Sequence, residues 1–303
     1  MKNYNLRDLN KLADKVKYNR DTLEKVLRLS ELLKMFNEHE ELNSKYILKG
    51  GTEINLCMFD FPRLSVDIDM NFNLDCTKNE MIQARELHKK IIAEHVASNG
   101  YTVHSKSRFT FTLDSYLLQY INAVGSNDYI KLELNYSNRI QLLDPIDYKI
   151  KSSIVENASV LGMNKIELYG SKIAALIGRT TARDVFDVLK MVSYRMIKDD
   201  EMDLLRKCSI FYLLASIFDF DTTYSTLEFQ TQNNQEMIYR MSEYHGIELR
   251  KHKIKIMHFV IYLGISKVRM KSKLKPEEIF TGFDLINLHE LRVNDFLSSH
   301  VPA

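Results

Sequence analysis

Tryptophan is absent from the 303-residue sequence, and proline, glycine and cysteine are scarce, with 4, 10 and 3 residues respectively. So little proline and glycine argues against long linkers and low-complexity segments, and it favours a helix-rich protein. The three cysteines, Cys57, Cys76 and Cys208, show neither a disulfide framework nor the spacing of zinc ligands. This pattern is typical of reduced thiols in the cytosol.

Strong net charge and long apolar runs are missing as well. The formal net charge is only +2, so any contact with nucleic acid must come from local clusters of charge. No run approaches the roughly 18 apolar residues of a transmembrane helix, and the first residues lack the apolar core of a signal peptide. We therefore expect a cytoplasmic protein with no membrane contact.

Hydrophobic periodicity divides the chain into a mixed first part and a helical second part. The first part is expected to contain helices over 5–17, 20–39, 52–59 and 78–99 and strands over 46–48, 66–72, 101–106, 108–113, 129–136 and 139–143. The second part is expected to be helical over 165–177, 182–196, 200–217, 233–243, 254–266 and 284–298. This order predicts an α+β fold, with a mixed β-sheet domain and flanking helices over 1–158 and a mostly helical domain over 159–303.

A pair of aspartates lies in an apolar stretch of the predicted strand 66–72. Asp67 and Asp69 stand two residues apart, and Ser65 precedes them at the same spacing. Because strand side chains alternate between faces, all three are expected on one face. Two adjacent carboxylates are costly unless they are neutralised, and oxygen ligands without His or Cys favour Mg²⁺, with Mn²⁺ as an alternative. A carboxylate pair that merely faces solvent is the other interpretation.

A glycine turn precedes this strand. Gly50 and Gly51 supply backbone N–H groups at the start of a helix that Thr52 is expected to cap, and such a turn can cradle phosphate. Arg63 and Ser65 are suited to hydrogen-bond phosphate oxygens, although a surface loop cation also explains Arg63. A phosphate cradle followed by a carboxylate pair indicates phosphoryl or nucleotidyl transfer.

Glu133 is a candidate for a third carboxylate. It lies on the polar face of the predicted strand 129–136, which alternates strictly from Ile130 to Asn135. A two-metal transfer site takes such a carboxylate from a neighbouring strand. An ordinary exposed charge beside Lys131 explains the pattern equally well.

A second group of charges lies in the helical part. Lys172 is expected on one helix, and Arg183, Asp184 and Asp187 at the start of the next, with Arg183 spaced to pair with Asp187. In a transfer site, Lys172 would neutralise a triphosphate and Asp184 would act as a base or orient the acceptor. Spacing alone favours a surface salt bridge of little energetic weight.

A basic segment follows later in the chain. Residues 250–275 contain nine Lys or Arg and no Asp or Glu, around an apolar helical run. This composition is suited to contact with an RNA backbone, and equally to a core helix with a solvated basic face.

The motifs resemble, in the same order, those of the AbiEii/AbiGii toxin family of the nucleotidyltransferase superfamily. They are Leu48-Lys-Gly-Gly-Thr52, Arg63-x-Ser65-x-Asp67-Ile-Asp69, Lys131-x-Glu133, Lys172 and Arg183-Asp184-x-x-Asp187, and they cover about residues 40–195. The resemblance implies a nucleotidyltransferase-like mixed β-sheet domain, with the helical C-terminal domain completing an active cleft.

The resemblance also implies a function. The protein would be the Mg²⁺-dependent toxin of a bacterial toxin–antitoxin or abortive phage-infection system, with its antitoxin encoded alongside. It would transfer NMP from an NTP to an RNA acceptor, expected to be the 3′ end of a tRNA, and release pyrophosphate.

The implied site falls into three sets of residues. The catalytic set is Asp67, Asp69, Lys172 and Asp184. The nucleotide-binding set is Gly50, Gly51, Thr52, Arg63, Ser65 and Lys172. The metal-binding set is Asp67, Asp69 and Glu133. Three alternatives stay open: transfer of NMP to a protein hydroxyl, a non-catalytic protein that binds nucleotide or RNA, and a metal-dependent nuclease.

Overall fold

The computed structural model describes residues 4–59, 65–137, 139–150, 159–179 and 182–215. The described residues fall into two units, one ending at Met163 and the other beginning at Asn164. Arg63, the basic segment 250–275 and the helices predicted over 233–243, 254–266 and 284–298 lie outside the described residues.

The helices of the first unit begin where the sequence offers caps. They are α1 (Leu6–Val16), α2 (Arg20–Glu38), α3 (Gly50–Glu53), which continues as a π-helical turn over Ile54–Met58, and α4 (Lys78–Ser98). The side chain of Asn5 caps α1, that of Asn19 caps α2, and Thr77 forms a capping box with Glu80 at the start of α4. The predicted helices over 5–17, 20–39 and 78–99 are therefore confirmed.

The strands of the first unit form one mixed sheet. They are β1 (Tyr46–Lys49), β2 (Asp67–Phe72), β3 (Thr102–Val103), β4 (Arg108–Phe109), β5 (Leu113–Ile121), β6 (Asn127–Asn135), β7 (Ile146–Lys149) and β8 (Ser159–Gly162). Their order is β3–β5–β6–β2–β1–β8–β7, and β4 pairs with β5 outside that order. The pairs β2–β6 and β1–β8 are parallel, and the other pairs are antiparallel.

Helices cover one face of this sheet. Ile68, Met70 and Phe72 of β2 are fully buried on that face, as are the even-numbered residues of β6 from Ile130 to Leu134. From α2, Phe36 packs edge-on against Tyr46, and from α4, His88 packs against the same ring. The opposite, odd-numbered face of β2, β5 and β6 stays at least partly exposed from Asp67 to Asp69, from Leu113 to Ile121 and from Asn127 to Asn135. We call this second side the open face.

Strand β5 was not predicted, because its hydropathy pattern conflicts with its burial pattern. Asp114 is fully buried and pairs with Arg85 of α4 at 2.5 Å, whereas Leu113 and Leu117 lie on the open face. A buried, paired carboxylate thus occupies a core position that period-two reasoning assigns to an apolar residue. Strands β7 and β8 were also missed, and the strand predicted near 139–143 is wrong, since residues 139–143 form no strand.

The described part of the second unit is helical. It contains α5 (Lys165–Arg179), α6 (Ala182–Ser193), a single 3₁₀ turn over Asp199–Glu201 and α7 (Met202–Ala215). Helix α5 lies close to α7 at Gly170, where an added Cβ would stand 2.7 Å from the Cβ of Cys208. The predicted helices over 165–177 and 182–196 exist with shifted ends, and the helix predicted over 200–217 exists as α7, with residues 216–217 outside the described ranges. In the described ranges, no helix has the length and apolar character needed to cross a membrane.

Candidate active site

Four neighbouring strands bring charged and polar side chains into one row on the open face. Lys49 is paired with Asp69 across β1 and β2, and Asp69 is paired with Glu133 across β2 and β6. Glu133 is in turn paired with Ser115 of β5. Because paired residues of neighbouring strands point to the same face, these side chains form a continuous line across the sheet.

The alternation of β2 explains how two aspartates reach this face. Ile68 and Met70 are 0% and 1% exposed and anchor the strand in the core. Asp67 and Asp69 consequently point to the open face, where both remain partly exposed. The prediction that the two carboxylates share a face is thereby confirmed.

The charges in the row are interleaved. Burial raises the pKa of Asp69, Lys49 opposes this effect, and the carboxylates of Glu133 and Asp67 raise the pKa further. Burial lowers the pKa of Lys49, against the opposing pull of Asp69 and Glu133. The row therefore places Asp69 next to Lys49, and burial disfavours the charged form of both side chains.

Glu133 has hydrogen-bond donors of its own. Lys131 Nζ lies 2.8 Å from Glu133 Oε1, and Ser115 Oγ donates to the same oxygen at 3.0 Å. Burial raises the pKa of Glu133, but the hydrogen bonds from Lys131 and Ser115 outweigh burial and lower it. Glu133 is thus held as an ionised acceptor beside Asp69.

Gly50 begins α3 immediately after Lys49. Its φ of +78° lies in the left-handed region, and a Cβ at this position would stand 3.1 Å from Asp69 Oδ2. Any other residue here would have a strained backbone, and its Cβ would crowd the carboxylate, so glycine is required. The glycine turn therefore lies beside the carboxylate of Asp69, with no room for a side chain between them.

Thr52 does not cap α3, contrary to the prediction. The N-cap residue is Lys49, which makes no side-chain capping bond, and Thr52 lies inside the helix. The Thr52 hydroxyl donates to the carbonyl oxygen of Asp67 and lies 2.9 Å from Ser65 Oγ. Thr52 is only 1% exposed, and its hydroxyl links α3 to the start of β2 through a buried hydrogen bond.

Two carboxylates of β2, Asp67 and Asp69, are of the kind that Mg²⁺ takes. Within the described ranges, no group of three or more acidic, His or Cys side chains is arranged to hold a metal ion. Mg²⁺ commonly takes only one or two protein carboxylates and completes its shell with water and substrate phosphates. Asp67 and the crowded Asp69 are chemically suited to that arrangement, and metal binding by Asp67, Asp69 and Glu133 stays a prediction.

Lys172 and the two aspartates of α6 meet in the second unit. Lys172 Nζ lies 3.5 Å from Asp184 Oδ1 and 3.0 Å from Asp187 Oδ2. The three residues are 8%, 1% and 1% exposed, whereas Arg183 is exposed. The group is therefore a buried ion cluster and not the surface salt bridge that spacing favoured.

The structure adds two residues to the predicted set. Lys49 and Ser115 belong to the row, but neither was selected from the sequence. Lys49 carried a usable signal, because it is the single charged residue ending an apolar strand just before the glycine pair. The sequence around Ser115 gives no such signal, because Ser115 reaches the row only through the pairing of β5 with β6.

Comparison with solved structures shows which class of protein has this fold. MenT4, a nucleotidyltransferase toxin from Mycobacterium tuberculosis H37Rv, matches with a TM-score of 0.52 and 13% sequence identity. The match covers 93% of this chain and 94% of that one. The chain thus has the fold of a nucleotidyltransferase toxin.

The family follows from sequence. The family model described as the nucleotidyl transferase AbiEii toxin of type IV toxin–antitoxin systems matches residues 31–249. The match spans more than half of the chain, so the protein belongs to the AbiEii family, and the resemblance found in its motifs is confirmed. Among curated proteins, none matches the sequence significantly.

Proposed function

We propose that this protein is a Mg²⁺-dependent nucleotidyltransferase toxin that transfers NMP from an NTP to an RNA acceptor, the 3′ end of a tRNA, with release of pyrophosphate. The observation that carries the proposal is the close approach of the glycine turn to Asp69, within a row of ionisable side chains. A carboxylate that binds a divalent cation and a turn that binds phosphate are thereby adjacent.

The NTP phosphates are assigned to the side of Asp69 where β1 ends. The first backbone N–H groups of a helix have no partner within the helix, and at α3 these belong to Gly50, Gly51 and Thr52. Lys49 precedes them and supplies a positive charge opposite Asp69. The Thr52 hydroxyl already bonds to the backbone of Asp67, so its part in nucleotide binding is assigned to its N–H group. Ser65, whose hydroxyl lies beside that of Thr52, is assigned a phosphate contact as well.

Asp67 and Asp69 are assigned to hold Mg²⁺. The ion, when bound, would neutralise phosphate charge and orient the α-phosphate. The remaining contribution of the row is positional: Glu133 accepts hydrogen bonds from Lys131 and Ser115 and keeps its ionised carboxylate next to Asp69. Positioning and charge neutralisation account for most of the catalysis in phosphoryl-type transfer.

The roles predicted for Lys172 and Asp184 form part of the proposal. Lys172 is assigned to neutralise the triphosphate and Asp184 to orient the acceptor hydroxyl. Their support is the family membership and the buried cluster in which both side chains meet. An antitoxin partner and a role in phage defence are proposed on the same family membership.

A labelling experiment tests the proposal. The purified protein is incubated with each α-³²P-labelled NTP, Mg²⁺ and bulk bacterial tRNA, and the products are separated by denaturing electrophoresis. We expect label from one NTP in tRNA and no label with Asp67→Ala. Label in protein alone would replace the RNA acceptor by a protein hydroxyl, shortened RNA would indicate a nuclease, and no label at all would refute transfer.

A further inference from the structure

The row of the candidate site continues beyond Glu133 to the far edge of the sheet. Arg108 of β4 is paired with Ser115 of β5, which is paired with Glu133. Arg108 therefore lies in line with Lys49, Asp69 and Glu133 on the open face. Since neighbouring strands are about 4.8 Å apart, Arg108 stands about 14 Å from Asp69, measured between backbones.

Arg108 is available to a ligand. The residue is exposed, and it makes no hydrogen bond or ion pair with another described residue. By contrast, Lys131, the other cation on this part of the face, is held by Glu133 at 2.8 Å. Arg108 is thus an arginine at the end of an ordered row without a partner in the described ranges.

The open face of the sheet between Arg108 and Glu133 carries no acidic side chain among the described residues. On the open face, β3, β4 and β5 present only Thr102, Arg108 and the odd-numbered residues of β5, none of which is acidic. A further cation, Lys106, lies exposed in the turn before β4. No described acidic side chain on these three strands would repel a phosphate backbone on this path.

The geometry of transfer separates the two substrates. In an in-line displacement, the attacking hydroxyl and the leaving pyrophosphate lie on opposite sides of the α-phosphate. The glycine turn, assigned to the leaving phosphates, is on the β1 side of Asp69, and Arg108 is on the β4 side. An acceptor that lies along the sheet would therefore approach from the side of Arg108.

We infer that the acceptor RNA crosses the open face over β4, β5 and β6, with Arg108 binding a phosphate a few nucleotides from the reacting 3′ end. This inference rests on the proposed function for the direction of approach. The partner it selects is a single-stranded RNA end, because one free arginine on an exposed strand offers a single contact to a nucleic-acid backbone. The guanidinium donates a paired set of N–H groups that matches phosphate oxygens.

RNA binding is measured first, without NTP or Mg²⁺, so that the result does not depend on catalysis. The probe is a short single-stranded RNA with a 5′ fluorescein, followed by fluorescence anisotropy over a range of salt concentrations. Arg108→Ala is expected to weaken binding about tenfold at low salt and to reduce the slope of log K against log salt by about 0.7, the value for one phosphate of a single strand. Arg108→Lys is expected to recover most of the slope, because it keeps the charge.

The matched control is Arg7→Ala. Arg7 is exposed on α1, a helix that packs on α2 and lies away from the row. This variant is expected to bind RNA like the wild type. In the transfer assay with bulk tRNA, Arg108→Ala is expected to raise KM for tRNA about tenfold and to leave KM for the NTP within about twofold.

The outcomes separate this inference from the proposed function. If Arg108→Ala binds RNA with the same affinity and salt slope as Arg7→Ala, the inference is overturned even where transfer to tRNA is observed. If Arg108→Ala loses RNA affinity and Arg7→Ala does not, but the wild type labels no RNA, the RNA-binding surface is supported and the proposed transfer to RNA is refuted. A rise in KM for the NTP instead of tRNA would reassign Arg108 to the nucleotide and overturn the RNA path.

Discussion

Lys49 and Asp69 face each other across the antiparallel pair of β1 and β2, at the point where the glycine turn begins. Each residue shifts the pKa of the other towards its ionised form, against burial. The lysine is therefore the main compensating charge for the carboxylate that is proposed to bind Mg²⁺. This pairing links the phosphate side of the site to its metal side.

Replacing Lys49 by Gln is expected to reduce NMP transfer at least about tenfold, because the site loses a cation beside both Asp69 and the NTP phosphates. The measurement is kcat and KM for the NTP. Lys34→Gln is the matched control, since Lys34 is 59% exposed on α2. Equal activity of the two variants would show that Lys49 has no part in nucleotide binding.

Removing one carboxylate of the pair is expected to separate activity from stability. Asp69→Asn should lower transfer by about 100-fold or more, because a charged group acting on the phosphates is lost. In Mg²⁺-free buffer the same variant should melt at the same temperature as the wild type or higher, since crowding with Asp67 and Glu133 is relieved.

The binding of Mg²⁺ can be measured without turnover, from its effect on the stability of the protein. At about 100 times its Kd, the ion should stabilise the wild type by about 2.7 kcal/mol against unfolding, but should have little effect on Asp69→Asn. Thermal unfolding with and without Mg²⁺ measures both. If Mg²⁺ raises the melting temperature of the wild type and of the Asp67→Asn, Asp69→Asn double variant equally, the metal does not bind at this pair.

The Thr52 hydroxyl is expected to matter for stability, because it satisfies the backbone of Asp67 inside the protein. Thr52→Val keeps the shape but leaves that carbonyl without this donor, which should cost about 1–3 kcal/mol. Thr52→Ser keeps the hydroxyl and should cost less. Urea unfolding compares the three proteins, and equal midpoints for Val and Ser would refute the role of the hydrogen bond.

His88 is expected to make the first unit sensitive to acid. Burial lowers the pKa of His88 to about 4, and its ring nitrogen Nδ1 lies 2.9 Å from the hydroxyl of Tyr46. The unfolded chain, with a histidine pKa of about 6.5, binds this proton more readily, so stability is full above about pH 6.5 and declines as the pH falls towards 4.

From these two pKa values, His88 should contribute a loss of at most about 2 kcal/mol between pH 7 and pH 5. His88→Gln should lack this part of the decline, whereas His104→Gln, in the turn between β3 and β4, should keep it. The free energy of unfolding in urea at the two pH values measures the difference. The same pH dependence in His88→Gln and the wild type would contradict the prediction.

Lys172 is expected to stabilise the second unit, in addition to the substrate contact proposed for it. Lys172→Met removes the cation that lies within 3.5 Å of two buried aspartates, which should destabilise this unit by about 3 kcal/mol. Adding Asp187→Asn should recover part of the loss, because one of the two negative charges is removed. Unfolding followed by far-ultraviolet circular dichroism measures both, and additive losses would show that the residues do not interact.

Local patterns predicted much of the fold and two residues of the row, Asp69 and Glu133. The caps at Asn19 and Thr77 and the alternation of β2 depend on residues close in sequence, so they can be read directly. Strand β5 escaped prediction because Asp114 is buried only by virtue of Arg85, a distant residue on α4. Thr52 was assigned a capping role because its alternative partner, the backbone of Asp67, is brought to it by folding.

The sequence by itself determined that Asp67 and Asp69 share a face, that a glycine turn precedes them, and that the motifs are those of the AbiEii family. These features follow from the two-residue period of a strand and from the order of residues along the chain. Only the tertiary structure decided that Lys49, Asp69, Glu133, Ser115 and Arg108 form one row. Strand order and register depend on burial and hydrogen bonding between segments far apart in the chain, and a shift of one residue would turn each side chain to the opposite face.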